Sequence, residues 1–545
     1  MSSASPRISR IAGGRGIENA TIALQSKEEA ALEKSSTAVA LHPSLFQINT
    51  RILLGDLSRL LHRRATLDDI SEPYLDQIAH EGFNWVWLLG VWQTGSVGRN
   101  VSLKNSEWRR EFQELIPDLV DEDVCGSCFA VQAYAVHSDF GGNAALDRLR
   151  RRVHDRGMRL LLDFVPNHTA PDHPWVQEHP DYYVSGTEQQ FEREPHNYTQ
   201  IDTQGRSAVL AYGRDPYFAG WPDTLQLNYA SSLLQEAMML ELEKIAAMCD
   251  GVRCDMAMLV LPDVFERTWG LRPVSFWPEA IKRTRKRNAD FLFMAEVYWD
   301  LEWTLQQQGF DYTYDKRLYD RLRQGEARPV RDHLKADPDF QRKSARFLEN
   351  HDEPRAAATF PPGEYQAAAV LTYLSPGLRF FHQGQLEGFT KRVPVHLGRG
   401  PTEEPNPDVI EFYSRLLSCI GRVEILEGEW KLLECTPAWD GNWTSDCFIC
   451  FLWQGVEKTS LVIAVNYAPN QSQCYLHIPI DDCEGHGLRF RDLLGPSVYD
   501  RPGGEIQSRG LYLDLPGWGY QVFKMTTQGT DDPQAVCTGK AKGAS

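Results

Sequence analysis

The chain has 545 residues, 42% of them apolar and 24% charged, and carries a formal net charge of −17. That length exceeds one ordinary core, so a large domain and a smaller one are expected. The acidic balance argues against nucleic acid or an anionic membrane surface as partner, and no run of about 18 apolar residues offers a membrane span.

Residues 1–40 are polar and mixed, read as a disordered tail without the apolar stretch of a secretory signal. The first strand is Leu45-Phe-Gln-Ile-Asn-Thr-Arg51. A helix at 74–80 is closed by Gly82, and Phe83-Asn-Trp-Val-Trp-Leu-Leu89 follows as a buried strand. Residues 129–136 read as a third strand. The spacing at 144–156 predicts a helix with Leu146, Leu149 and Val153 on one face, stopped by Gly157. Helix then strand recurs three more times: 233–248 before 252–255, 278–287 before 291–297, and 364–374 before 378–381. Such alternation predicts a parallel sheet with crossover helices. Between 167 and 228 the pattern fails, and a loop of roughly 60 residues inside a compact barrel is usually functional. From about residue 423 short strand-like runs at 447–453, 460–467, 474–480 and 511–515 predict an antiparallel sandwich.

The 11 cysteines are odd in number and thinly spread, which suits reduced thiols in a cytoplasmic protein. Zinc would need the pairs Cys125/Cys128 and Cys447/Cys450 brought together, or one pair with His. Packed thiols are expected instead, and no metal site.

Four apolar runs end in an acid or carry one beside their polar end: Leu160-Leu-Leu-Asp-Phe-Val-Pro-Asn-His168, Gly251-Val-Arg-Cys-Asp255, Phe293-Met-Ala-Glu296 and Phe347-Leu-Glu-Asn-His-Asp352. A strand finishing on an acid places it at the sheet's C-terminal edge, the active face of a parallel barrel. Two carboxylates across a glycosidic bond suffice for hydrolysis with retention, one attacking the anomeric carbon, the other protonating the leaving oxygen. Arg253 and Asp255, two apart on a strand, share a face, so the guanidinium keeps that acid ionised. His168 and His351 stand beside strand-end polar residues, where neutral imidazoles can bond sugar hydroxyls.

These segments resemble the signature regions of the α-amylase family, glycoside hydrolase family 13, with Gln226-Leu-Asn228 similar to a fifth. The resemblance spans roughly residues 44–420 and implies a (β/α)8 TIM barrel, an inserted domain after the third strand and a C-terminal antiparallel β-sandwich. The division is then 1–40 tail, 41–166 first part of the catalytic barrel, 167–228 insertion, 229–421 second part, 422–527 sandwich and 528–545 tail. Carried over, Asp255 is the nucleophile, Glu296 the general acid/base and Asp352 the transition-state stabiliser. Arg253, His168 and His351 bind around the sugar, and Asp163 braces the site, through Arg253. Phe129 takes the place of a stacking Tyr; it still stacks on a sugar face but donates no hydrogen bond. The Lys-His that many starch-cleaving members carry after the nucleophile is replaced by Met256-Ala-Met-Leu259. Calcium-binding members use the Asn of the first region; Asn167 is present but no further oxygen ligand is identified, so calcium stays open and no cofactor is expected. The implied activity is a retaining α-glycosidase acting on α-linked glucose saccharides. Transglycosylases and isomerases share its covalent intermediate. Non-catalytic relatives serve membrane transporters and lack part of the acid set, which is complete here. Chain length, linkage and oligomeric state are left open.

Overall fold

Trp85, Val86, Trp87, Leu88 and Leu89 are all buried. A strand apolar at every position is covered on both faces, as parallel strands are when helices pack outside them. The computed structural model describes residues 41–203, 205–455, 459–480 and 485–527; both predicted tails lie outside these. Eight strands close into a parallel barrel: β1 (Ser44–Asn49), β2 (Trp85–Leu89), β3 (Arg159–Phe164), β4 (Gly251–Cys254), β5 (Leu292–Ala295), β6 (Tyr312–Tyr314), β7 (Ser344–Arg346) and β8 (Leu378–His382). The ring shuts where β1 pairs with β8, from Ser44↔Arg379 to Gln47↔His382.

The helices follow their local signals. Glu72–His80 is capped by the Ser71 side chain, which accepts from Tyr74 N, with Pro73 in the first turn. Gly142–His154 buries Ala145, Leu146, Leu149 and Val153 against the barrel.

Two excursions rise from the active end. The first, 90–141, follows β2. It carries helices Ser96–Lys104 and Ser106–Leu115 and a strand pair, Trp92–Thr94 with Val131–Val136. The run at 129–136, read from sequence as a third strand of the main sheet, is therefore no barrel strand. Its middle residues are half-buried or exposed, unlike the fully buried barrel strands, so it pairs at the mouth instead. The second excursion, 167–228, is tied at its base by His168–Thr169 paired with Leu225–Gln226. It holds the hairpin Tyr198–Thr203 with Arg206–Ala211, order that its sequence period did not reveal. A further difference concerns Asp352: β7 ends at Arg346, six positions earlier, so this acid stands on the following loop, not on a strand end.

Beyond the barrel, eight antiparallel strands form one continuous sheet: β9 (Glu429–Thr436), β10 (Phe448–Gln454), β11 (Ser460–Asn466), β12 (Ser472–His477), β13 (Gly487–Asp492), β14 (Val498–Pro502), β15 (Leu511–Leu515) and β16 (Tyr520–Thr527). β9 joins its two halves, pairing with β10 through Glu429–Leu433 and with β12 through Glu434–Thr436. The halves enclose a core that includes Phe448, Val462, Leu476, Phe490 and Phe523. The opposite face, with Ile449, Phe451, Trp453, Ile463 and Val465, belongs to the barrel's own core. Trp453 Nε1 donates to Leu374 O at 2.7 Å and Tyr467 Oη to Leu322 O at 2.7 Å. Among the described residues no helix is long and apolar enough to cross a membrane.

Candidate active site

Asp255 and Glu296 follow β4 and β5 directly. The ladder continues one step past each strand: Asp255 N donates to Phe164 O at 2.8 Å and Glu296 N to Cys254 O at 3.0 Å. Both side chains are thereby fixed at the same mouth of the ring. Between them lies Arg253, wholly buried, with Nη1 2.5 Å from Asp255 Oδ1 and Nη2 2.7 Å from Glu296 Oε2. One planar guanidinium fork thus grips both acids. Its face is enclosed by the rings of Phe129, Trp87 and Tyr314, with Cζ 5.1, 5.4 and 5.9 Å from their centroids.

Met256 takes a left-handed backbone, φ 43° and ψ 44°, a conformation that costs a non-glycine residue about 1 kcal/mol or more. The turn aims its N–H at Glu296 Oε2, 2.7 Å away. Glu296 Oε1 accepts from Tyr298 Oη at 2.8 Å. Burial pushes the carboxyls of Glu296 and Asp255 above their ordinary values, and the charges of Asp255 and Asp352 add to the rise at Glu296. Arg253 opposes the rise at both.

Asp352 is held differently. Its N–H and that of Glu353 both donate to Asn350 Oδ1 at 2.9 Å, a turn that lifts the carboxyl to the cavity, with the side chain 44% exposed. Desolvation opposes its charge, but His351 Nε2, 3.0 Å from Oδ2, together with Arg253, outweighs this and holds the group down at about 2. His351 is itself seated by Gln47 of β1, Nε2 to Nδ1 2.9 Å.

A cavity of about 320 Å³ opens over the three acids, lined also by Phe129, His168, Trp221, Asp223, Tyr298 and His396, among others. That volume falls in the range of small-molecule sites. A larger hollow of about 470 Å³ lies beside Arg51 and Cys125, but no strand-end acids converge there, so chemistry and not volume selects the site.

The alpha amylase catalytic-domain family matches residues 129–403, just over half of the chain. The chain belongs to the alpha-amylase family. Alpha-amylase MalA of Haloarcula japonica is 26% identical over 264 residues, covering 46% of this chain and 35% of that one. An alpha-1,4-glucan:maltose-1-phosphate maltosyltransferase of Arcanobacterium haemolyticum is 24% identical over 243 residues, covering 44% and 30%. The chain thus spans about a third of the length of these two relatives. A crystal structure of a maltogenic alpha-amylase from Thermotoga neapolitana shares the fold at a TM-score of 0.64 and 18% identity, covering 89% of this chain and 98% of that one.

Within this alpha-amylase-family site, His168 and Phe129 line the cavity. Burial pushes the His168 imidazole down to about 3, so it is neutral. Arg253 and His351, expected around the sugar, are buried beside the cavity and contact the acids. Asp163 is also buried, but does not brace Arg253 by contact. Its oxygens accept from Trp87 Nε1 at 3.1 Å and Gly90 N at 2.8 Å. Gly90 has φ +75°, and a Cβ there would meet Cys128 Cβ at 2.6 Å, so Asp163 pins a turn that only glycine can make. Asn167 Oδ1 accepts from Gln226 Nε2 at 2.9 Å, and no group of three His, Cys, Asp or Glu among the described residues is arranged for a metal ion. The nine described cysteines are unbridged.

Sequence reasoning missed Tyr298, Asp223, Trp108 and His396. Tyr298 was within reach, two positions past Glu296. Trp108 and His396 pack with their rings tilted by 34° and centroids 4.5 Å apart, from segments almost 300 positions apart, and no local pattern signals that.

Proposed function

We propose that the protein is a retaining α-glycosidase that cleaves α-glucosidic bonds of oligo- or polysaccharides through a covalent glycosyl-enzyme. The observation that carries this reading is the single guanidinium of Arg253 shared by Asp255 and Glu296. Two acids bridged by one fork are close neighbours, and retention needs carboxyls about 5–5.5 Å apart, with no room for a water between them.

The roles follow from the contacts. Arg253 occupies Asp255 Oδ1, so attack on the anomeric carbon uses Oδ2. Glu296 Oε2 accepts two N–H bonds, so the transferable proton sits on Oε1, where the Tyr298 hydroxyl can turn to accept from it. This proton goes to the leaving oxygen; the resulting carboxylate then draws a proton from water as the intermediate is hydrolysed. Asp352, held anionic, faces the positive charge that develops on the sugar ring. The cytoplasmic setting stays part of this reading, supported by the thinly spread thiols.

A second reading uses the same intermediate with a saccharide acceptor in place of water; the maltosyltransferase name of one relative favours keeping it. Incubation with maltose, maltotetraose, isomaltose, sucrose, trehalose and starch, with products followed by chromatography and the first-formed anomer by NMR, separates the two. Released α-anomer supports the proposal; β-anomer overturns retention, and rearranged saccharides without net hydrolysis favour transfer.

A further inference from the structure

A fourth carboxyl borders the cavity, and the roles above do not use it. Asp223 sits in the second excursion, 3% exposed, in the turn Trp221-Pro-Asp-Thr224. The turn is closed by Thr224 N and Oγ1, both donating to Trp221 O at 3.1 and 2.9 Å, with Pro at the position that favours a tight turn. On one side Trp221 N donates to Gly213 O at 2.8 Å. On the other, Leu225–Gln226 pairs with His168–Thr169. From the first excursion, Gly98 packs on it: a Cβ there would stand 3.8 Å from Asp223 Cβ. The backbone that carries this side chain is therefore fixed in the wall.

Asp223 Oδ2 is buried with no hydrogen-bond partner. A buried carboxyl oxygen left unpaired costs a protein free energy. Each such group calls for an explanation, and at the edge of a cavity a ligand is the natural one. Burial pushes this carboxyl up to about 6, against a bond from its own backbone N–H.

We infer that Asp223 is a substrate-binding residue, its carboxyl taking a hydrogen bond from a sugar hydroxyl on the Trp221–His168 side of the cavity. This rests on the proposed glycosidase reading and adds to it a polar anchor from the second excursion. The three acids would handle the bond that breaks, while Asp223 selects for a hydroxyl at one position of the bound ring.

The test compares wild type, Asp223→Ala and Asp223→Asn on p-nitrophenyl α-glucoside and its monodeoxy analogues. Loss of a hydrogen bond to a carboxylate is expected to raise KM roughly tenfold or more in the Ala variant, with kcat within about threefold. Asn keeps one acceptor oxygen and falls between. One deoxy analogue, the one lacking the partner hydroxyl, binds poorly to wild type and is indifferent to the substitution. A KM within about twofold of wild type, or an equal loss for the parent and every analogue, overturns the inference; the latter marks Asp223 as wall alone. Should wild type turn over no α-glucoside, the glycosidase reading fails, and calorimetric titration with 1-deoxynojirimycin decides the inference separately. Binding weakened roughly tenfold in Asp223→Ala supports it; equal binding by both proteins, or none, overturns it.

Discussion

Two fully buried arginines, Arg253 and Arg346, sit in the same barrel and do opposite things. Arg346 donates Nε to Asp315 Oδ2 at 3.1 Å, and its other nitrogens to Gln341 Oε1 and Pro376 O. Asp315 also meets His333 Nε2 at 2.8 Å and caps a helix through Leu318 N. Burial disfavours its charge, but these partners prevail and hold the carboxyl well below the ordinary range. Arg253 faces the reverse balance. Asp255, Glu296 and Asp163 all feel its field, yet burial leaves each raised. One guanidinium serves a single acid at Asp315, whereas acids outnumber cations around Arg253. The first arrangement is inert glue. The second leaves carboxyls that readily take and give protons, which is what general acid–base chemistry requires.

The comparison is most sharply tested at the acids. Asp255→Asn should lower turnover roughly 10³-fold or more, since the covalent step disappears, while the thermal midpoint stays near wild type; retained activity would reassign the nucleophile. Glu296→Gln should cost roughly 10²- to 10⁴-fold on natural saccharides but much less in the first step with a leaving group that needs no proton. Equal losses on both, read by burst kinetics, would remove its acid role. Asp315→Ala should instead destabilise the fold by about 3–5 kcal/mol, because it strands a buried guanidinium, with turnover per folded molecule unchanged; urea unfolding followed beside activity checks this. The sign with pH follows from the lowered carboxyl: its contribution is present above the unfolded value of about 3.9 and lost as pH falls toward the folded one. Wild type should therefore lose this contribution on acidification, whereas the Ala variant never has it, so the variant's stability should depend less on pH below about 4. A parallel pH dependence in both proteins would contradict the pairing. Smallest is Phe129→Tyr: the ring keeps its place over Arg253 and gains one hydroxyl, so KM should shift by less than roughly tenfold. A larger shift would show that the hydroxyl reorganises the site.

Much of this contrast is legible in the amino-acid sequence. β2 and β5 announce themselves as unbroken apolar runs and β4 as one broken only by Arg253, and Asp255 and Glu296 fall at the ends of β4 and β5 because a barrel strand must stop burying side chains where the mouth opens. β6, three residues long, is too short for any period to show. Asp352 was found by its His-Asp neighbourhood, although β7 ends well before it. The error at 129–136 has a similar root: alternation marks a strand but not which sheet it joins. Asp223 and His396 were invisible for another reason. Each takes its importance from packing between distant segments, and a lone Asp in a polar loop looks like solvent-facing surface. The half-exposed, charge-bearing β9 escaped notice because Glu429, Lys431 and Glu434 interrupt its apolar positions.

The indole of Trp453 inserted beneath Leu374 makes the two halves of the molecule thermodynamically inseparable. With one continuous apolar mass running from the helices into the far sheet, neither part has a private melting point. Scanning calorimetry should record a single endotherm, and two resolved peaks would show that the seam parts first.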